Sequence, residues 1–220
     1  MTEPTEIYTI GHSSHSIQHL LSLLRQHGIT AVADVRSQPY SRRFPQFNRE
    51  TLAAQLQAAH VAYEFLGREL GARPNNRWCY TAGRVRYDRI ATTDDFSAGI
   101  GQVLRLAENE RVALLCAEKD PLACHRTILI GKHLRERGVR VLHILEDGRL
   151  ESQEEAEARL LTEHHLGTPT LFDTYEDLVQ QAYGLREERI AFRVADAPTR
   201  QYGARSAGGR DDTDDEDGED

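Results

Sequence analysis

The sequence predicts a Rossmann-like α/β fold: a largely parallel sheet of about five strands with helices on both faces, a C-terminal helical extension and a disordered acidic tail. Three observations carry this expectation. Short β-type runs alternate with helical or irregular stretches. The runs are apolar almost throughout, as strands covered on both faces are. The helical stretches bring their own start and stop residues.

The strand candidates are residues 7–10 (IYTI), 29–35 (ITAVADV), 61–66 (VAYEFL), 111–116 (RVALLC) and 139–145 (VRVLHIL). Between the first two, SIQHLLSLLRQHG sets Ile17, Leu20, Leu21 and Leu24 at helical spacing behind a serine cap, and Gly28 stops the helix. Asn48 opens a second helix carrying Leu52 and Leu56. Asp94 or Asp95 opens a third over 94–108, and a fourth over 122–137 closes at Gly138. Glu146-Asp147-Gly148 reads as a turn. Ser152 and Glu155 have capping-box spacing at the head of a charged helix reaching about residue 165, and a further helix runs from about Asp173 to Tyr183. These elements divide the chain into a sheet domain over 1–147, a helical extension packed on it over 148–194, and a disordered tail over 195–220. Residues 67–93 match no element pattern, and a long irregular insertion in a compact domain is commonly functional.

At 220 residues the chain can bury a real core, and three cysteines (Cys79, Cys116, Cys124) are too few for a disulfide scaffold. The start MTEPTEIYTIGHSSHS has neither a basic head nor an apolar run, so the expected location is the reducing cytoplasm. No apolar stretch approaches about 18 residues, so no membrane partner is expected. The net charge of −8 is misleading, because residues 211–220 hold eight acids; without them 27 acids face 27 bases. Residues 36–89 hold ten arginines against four acids, with Tyr40, Phe44, Phe47, Trp78, Tyr80 and Tyr87 interleaved. Such a segment fits phosphate contacts with base stacking, or a loop packed on the body with ordinary surface arginines.

In an open parallel sheet, ligands sit outside the carboxyl ends of the strands. That rule selects Gly11, His12, Ser13 and Ser14 after the first strand, Asp34 and Arg36 at the second, and Cys116 and Glu118 at the fourth. The loop KDPLA then delivers Cys124, His125 and Arg126 to a helix start, where free N–H groups and the helix dipole favour an anion. A cysteine there can be held as a thiolate nucleophile. Nine residues lie between Cys116 and Arg126, unlike the five of phosphatase loops, so that mechanism is not assigned. The alternative for either cysteine is a small buried hydrophobe. His12 and Ser13 invite a triad with Asp34, against a tight turn at Gly11 and a serine helix cap. Asp34 and Arg36 fit an internal ion pair or a hold on a substrate hydroxyl. His15 and His19 fall on the outer, solvated face of the first helix. A metal set of Cys116, Cys124 and His125 with His12 or His15 lacks the paired spacing of structural zinc sites. The expectation is no metal and no cofactor.

Tyr8-Thr-Ile-Gly-His-Ser13, Asp34-Val-Arg36 with Pro39, Ser41, Pro45 and Phe47, Tyr63-x-x-Leu66-Gly67 with Leu70-Gly71, Cys116-x-Glu118 and Cys124-His125-Arg126 together resemble the domain of unknown function 488 family. The likeness runs in order from about residue 7 to 145. It implies a compact α/β domain whose recurring polar residues are these positions, and it brings no substrate with it.

The leading expectation is a cysteine-dependent hydrolase or transferase acting on a phosphorylated or nucleic-acid-related substrate. Cys116 or Cys124 supplies the nucleophile, Glu118 and His125 the acid and base, and Gly11, His12, Ser13, Asp34, Arg36 and Arg126 hold the substrate. The partner is then an anionic small molecule or nucleic acid. The rival is a non-catalytic nucleic-acid or protein interaction module in which Cys124-His125-Arg126 is only a helix start.

Overall fold

The computed structural model describes residues 5–167 and 173–194; the predicted tail over 195–220 lies outside them. In chain order the elements are β1 (Glu6–Gly11), α1 (Ile17–Gln26), β2 (Ala31–Asp34), α2 (Arg49–Ala58), β3 (Ala62–Phe65), β4 (Tyr80–Thr81), β5 (Arg84–Val85), α3 (Tyr87–Ile90), α4 (Asp94–Leu106), β6 (Val112–Cys116), α5 (Lys132–Arg135), β7 (Arg140–Ile144), β8 (Leu150–Ser152), α6 (Gln153–Glu163) and α7 (Tyr175–Ile190).

The fold is α/β with a mostly parallel central sheet. Six strands, not about five, lie in the order β3-β2-β6-β1-β7-β8, with β8 antiparallel at the edge. Alternate residues of the central strands enter two cores. Tyr8, Ile10, Val32, Ala113 and Leu115 pack under α1 and α2, while Ile7, Ala33, Val112, Leu114 and Val141 pack under α4, α6 and α7. Both faces are covered, which is why the runs read as continuously apolar.

The caps follow local chemistry. Ser16 Oγ accepts from His19 N at 3.2 Å and starts α1; Gly28, at φ +63°, ends it. Asn48 occupies the cap position of α2, but its Oδ1 accepts from Ser41 N at 2.7 Å instead of capping. Thr93, not an aspartate, caps α4. His15 and His19 pack with their rings tilted at 56° and centroids 4.6 Å apart, and His19 Nε2 bonds the Glu146 carbonyl, so this pair holds the turn after β7. The continuous helix expected over 122–137 is broken into a 3-10 turn at Pro121–Ala123, a π-helix at Arg126–Gly131 and α5. Cys124 and His125 therefore precede the helical run. The unassigned stretch 67–93 contains the hairpin β4–β5 and α3.

The extension is tied to the sheet through buried polar groups. His143 on β7 donates Nε2–H to Gln153 Oε1 (3.1 Å), which leaves Nδ1 to accept from Thr9 Oγ1 (2.8 Å). Gln153 Nε2 donates to the Tyr183 hydroxyl at 2.7 Å, and that hydroxyl donates to Glu157, which also pairs with Arg135 at 3.0 Å. In a network this deep, removing one member leaves its partners buried and unpaired. Tyr183→Phe strands Gln153 and Glu157, so we expect about 1–3 kcal/mol lower stability. In urea unfolding followed by fluorescence and by circular dichroism, the loss is expected in one shared transition. Two separated transitions, or no loss, would show that the extension is not integrated in this way.

Candidate active site

Adjacent strands β1 and β6 send their following chains to opposite faces of the sheet: α1 joins the core with Leu115, and the π-helix joins the core with Leu114. Such a reversal opens a crevice at the carboxyl ends. The pairing continues past the strands, with His12 N donating to Cys116 O (3.0 Å) and Ser13 N to Ala117 O (2.9 Å). Ser13 stands at φ +48°, a conformation unusual for a residue with a side chain. Gly11 is not the turn residue expected from sequence. It ends β1, and a methyl group on it would sit 1.7 Å from Glu118 O and 2.6 Å from Arg126 Nη1.

On the α1–α2 face of this crevice, Arg36 is 6% exposed and Asp34 is fully buried. Arg36 Nε donates to Asp34 Oδ1 at 2.8 Å and Nη2 to Oδ2 at 2.6 Å, a two-pronged pair that Tyr63 OH joins at 2.8 Å. Burial opposes the Arg36 charge, but the Asp34 hydrogen bonds and charge outweigh it, raising the guanidinium above its ordinary pKa. Of the two readings of this pair, the geometry is that of an internal ion pair. Arg36 Nη1 also donates to Phe47 O (2.9 Å) and to His12 Nε2 (3.2 Å). Since Arg36 only donates, His12 carries its proton on Nδ1, which donates to Ser13 O at 2.9 Å. Burial first, then the Arg36 charge, lowers the His12 pKa to about 4. His12 is therefore a neutral ring with both nitrogens engaged, and no triad with Ser13 and Asp34 forms.

The other face brings together Cys116, Cys124 and His125, all buried. Cys124 Sγ lies 2.7 Å from Cys116 Sγ, and His125 Nδ1 lies 3.7 Å from Cys116 and 3.6 Å from Cys124. His125 Nε2–H donates to the Val35 carbonyl at 3.1 Å, which aims Nδ1 at the sulfurs. The Cys124 hydrogen bond lowers the Cys116 pKa well below its ordinary value against the penalty of burial, helped by His125 and Arg126. Burial and the Cys116 charge push Cys124 well up. Cys79, remote from this cluster in sequence, is raised by burial. Arg126 is fully buried, with Nη2 donating to Lys119 O at 2.9 Å and with Nε and Nη1 unpartnered. It lies under the 118–119 backbone and does not line the crevice.

The crevice is a cleft of about 920 Å³, with Cys116, Cys124, His125, His12, Arg36 and Glu118 in its lining. Burial, then the Cys116 charge, raises the Glu118 pKa. Of the arginine-rich segment 36–89, Arg36, Arg43 and Arg73 reach the cleft, with Tyr40, Phe44 and Tyr87. Others are used elsewhere: Arg49 stacks on Phe65 and Arg89 on Trp78. The sequence reading missed Arg189, Phe192 and Arg193, which complete the wall. The available signal was the basic, aromatic composition of residues 189–193 just before the tail.

The sequence matches the family described as "Domain of unknown function DUF488" over residues 16–132. The chain belongs to this family. No curated protein and no solved structure matches the chain. The DUF488 stretch contains Asp34, Arg36, Cys116, Glu118, Cys124, His125 and Arg126; β1 and the wall at 189–193 lie outside it. Among the described residues no helix is long and apolar enough to cross a membrane.

Two buried histidines give this DUF488 chain a pH signature. Burial pushes His143 down to about 3, and His12 stands at about 4, against 6.5 for a free imidazole. Both are neutral when folded and take up a proton on unfolding once the pH is below 6.5. Their contribution is full above pH 6.5 and is lost as the pH falls toward 4 and then 3. The expected slope in urea midpoints between pH 6 and 5 approaches ~1.4 kcal/mol per pH unit for each histidine. A flat profile there would contradict the neutral, buried assignment.

Proposed function

We propose that this protein is a cysteine-dependent hydrolase or transferase acting on an anionic substrate, phosphorylated or related to nucleic acid. The observation that carries this reading is the line from Cys116 and Cys124 through His125 Nδ1 and Nε2–H to the Val35 carbonyl, at the floor of a cation-walled cleft. A sulfur, an imidazole and an orienting carbonyl are the parts of an activated thiol. Cys116 is the nucleophile, since its proton is the one its neighbours disfavour, and Cys124 is the donor that stabilises its thiolate. The sulfur forms a bond to the electrophilic atom as the bond to the leaving group breaks. Glu118, whose raised pKa favours its acid form, gives that group a proton. A water then releases the bound fragment, returning a proton to Glu118. Gly11, Asp34, Arg36 and His12 support the site from behind, and Arg126 acts through its charge.

A metal centre is the second reading, because the three donor atoms lie within 4.8 Å of one another. The nitrogen–sulfur separations match the edges of a tetrahedral site, about 3.6 Å for ordinary zinc bond lengths. Two thiolate ligands, however, need about 3.8 Å between sulfurs, and here they are 2.7 Å apart.

Alkylation by iodoacetamide at pH 6–7, read by peptide mass spectrometry, is expected to modify Cys116 well before Cys79 and Cys124. Equal rates for all three, tracking denaturation, would remove the nucleophile. Purified protein is expected without stoichiometric zinc; one zinc per chain, lost in Cys124→Ser, would make these residues ligands instead.

A further inference from the structure

Both arginines that the sequence offers as anion binders are taken up inside the fold. Arg36 is committed to Asp34, Phe47 and His12, and Arg126 lies beneath the 118–119 backbone. Lys119 lines the cleft but is ion-paired with Glu146. The cations left to meet a ligand are Arg43, Arg73, Arg189 and Arg193. All four line the cleft and are exposed, and among the described residues none is paired with a carboxylate.

Two of these four come from the extension, outside the family match. After α7 the chain runs antiparallel to β5: Val85 N donates to Phe192 O at 2.9 Å, Val194 N donates to Gly83 O at 2.8 Å, and Arg193 bridges to Arg84. The end of α7 is held as well, since Tyr87 N donates to Glu187 Oε1 at 3.1 Å and Ala191 is buried. Backbone hydrogen bonds thus fix the segment carrying Arg189 and Arg193. Phe192 lies under the Arg73 guanidinium, 4.4 Å from ring centre to Cζ, which joins the two halves of the wall. An arginine stacked on a ring keeps its N–H edge free for oxygen anions.

The same cleft presents Tyr40, 59% exposed, as aromatic surface, while the Phe44 ring lies under the Arg43 guanidinium, 5.2 Å from ring centre to Cζ. Guanidinium groups beside the open Tyr40 ring suit a ligand with several phosphate oxygens and a flat base, and about 920 Å³ suits one of nucleotide size. The geometry points to Arg189 and Arg193, with Arg73 and Arg43, as the phosphate-binding wall of this cleft, and to a nucleoside diphosphate as the ligand class. This rests on the reading of the cleft as an anionic-substrate site, and it is independent of which sulfur reacts.

The test is calorimetric titration of the full-length chain at about 50 mM salt, where screening is modest, with ADP, inorganic pyrophosphate and adenosine. ADP and pyrophosphate are expected to bind and adenosine to bind far more weakly. Arg189→Ala with Arg193→Ala is expected to weaken ADP about tenfold or more, the loss of one charged hydrogen bond or above. Arg189→Lys with Arg193→Lys should recover part of that loss. Arg149→Ala, outside the cleft, should change nothing. Neither wall arginine makes an ion pair in the fold, so an unchanged urea midpoint is the control for folding. No binding of pyrophosphate, or equal ADP affinity in the alanine pair, would overturn the wall. A single-stranded oligonucleotide bound more tightly than ADP would overturn the ligand class. An unreactive Cys116 with pyrophosphate binding intact would remove the nucleophile and leave the wall standing; the converse result would do the reverse.

Discussion

The site depends on how closely β1 approaches the chain that follows β6. Gly11 lies so near the Glu118 carbonyl that no side chain fits, and the β1–β6 pairing runs on through His12 and Ser13 against Cys116 and Ala117. This contact leaves the 118–119 backbone directly above Arg126, whose guanidinium holds the Lys119 carbonyl from below. With a larger residue at position 11, the loop must lift. Arg126 would then lose its carbonyl partner, and Cys116, the last residue of β6, would lose the backbone contact that fixes its neighbour Ala117. Backbone packing, more than any single polar bond, sets where the sulfur sits.

Electrostatics then divides the crevice into two halves with opposite properties. On the α1–α2 side, Asp34 and Arg36 neutralise one another in a buried pair whose remaining donors are taken by Phe47 and His12. Breaking such a pair by removing one partner costs about 3–5 kcal/mol, because the survivor is a buried uncompensated charge. That half is rigid scaffold. On the other side Arg126 is fully buried with two nitrogens unpartnered, and its charge adds to the lowering of the Cys116 pKa that the Cys124 hydrogen bond leads.

Much of this was legible in the sequence, for definite reasons. Strand ends in a parallel sheet converge, so Gly11, Asp34 and Cys116 were predictable neighbours, and β-type runs with capped helices between them give the sheet its type. β8 escaped notice because Leu150–Ser152 has no strand pattern of its own and forms only by pairing with Leu142–Ile144. The helix expected over 122–137 failed in its first half, where the residues Arg126–Gly131 take a π-helical path that propensity does not encode. The inward course of Arg36 and Arg126 was unreadable for a further reason. Charge counts alone do not say whether an arginine meets solvent, a buried aspartate or a backbone carbonyl.

The cleft is accordingly built from two stretches with different constraints. The DUF488 stretch holds Cys116, Cys124 and His125, whose relative positions tolerate little change because all three are buried and mutually hydrogen-bonded. The wall at 189–193 is outside that stretch and is attached through backbone bonds to the hairpin and through Ile190, Ala191 and Phe192 packed on the core, which leave the Arg189 and Arg193 side chains without ion pairs among the described residues. A substitution at Arg189 or Arg193 therefore alters what the cleft presents without disturbing the sulfurs. A substitution at Gly11 does the opposite. The sulfur cluster and the arginine wall are physically separable, because the first is built from packing between β1 and β6 and the second from a segment bonded through its backbone to the β4–β5 hairpin.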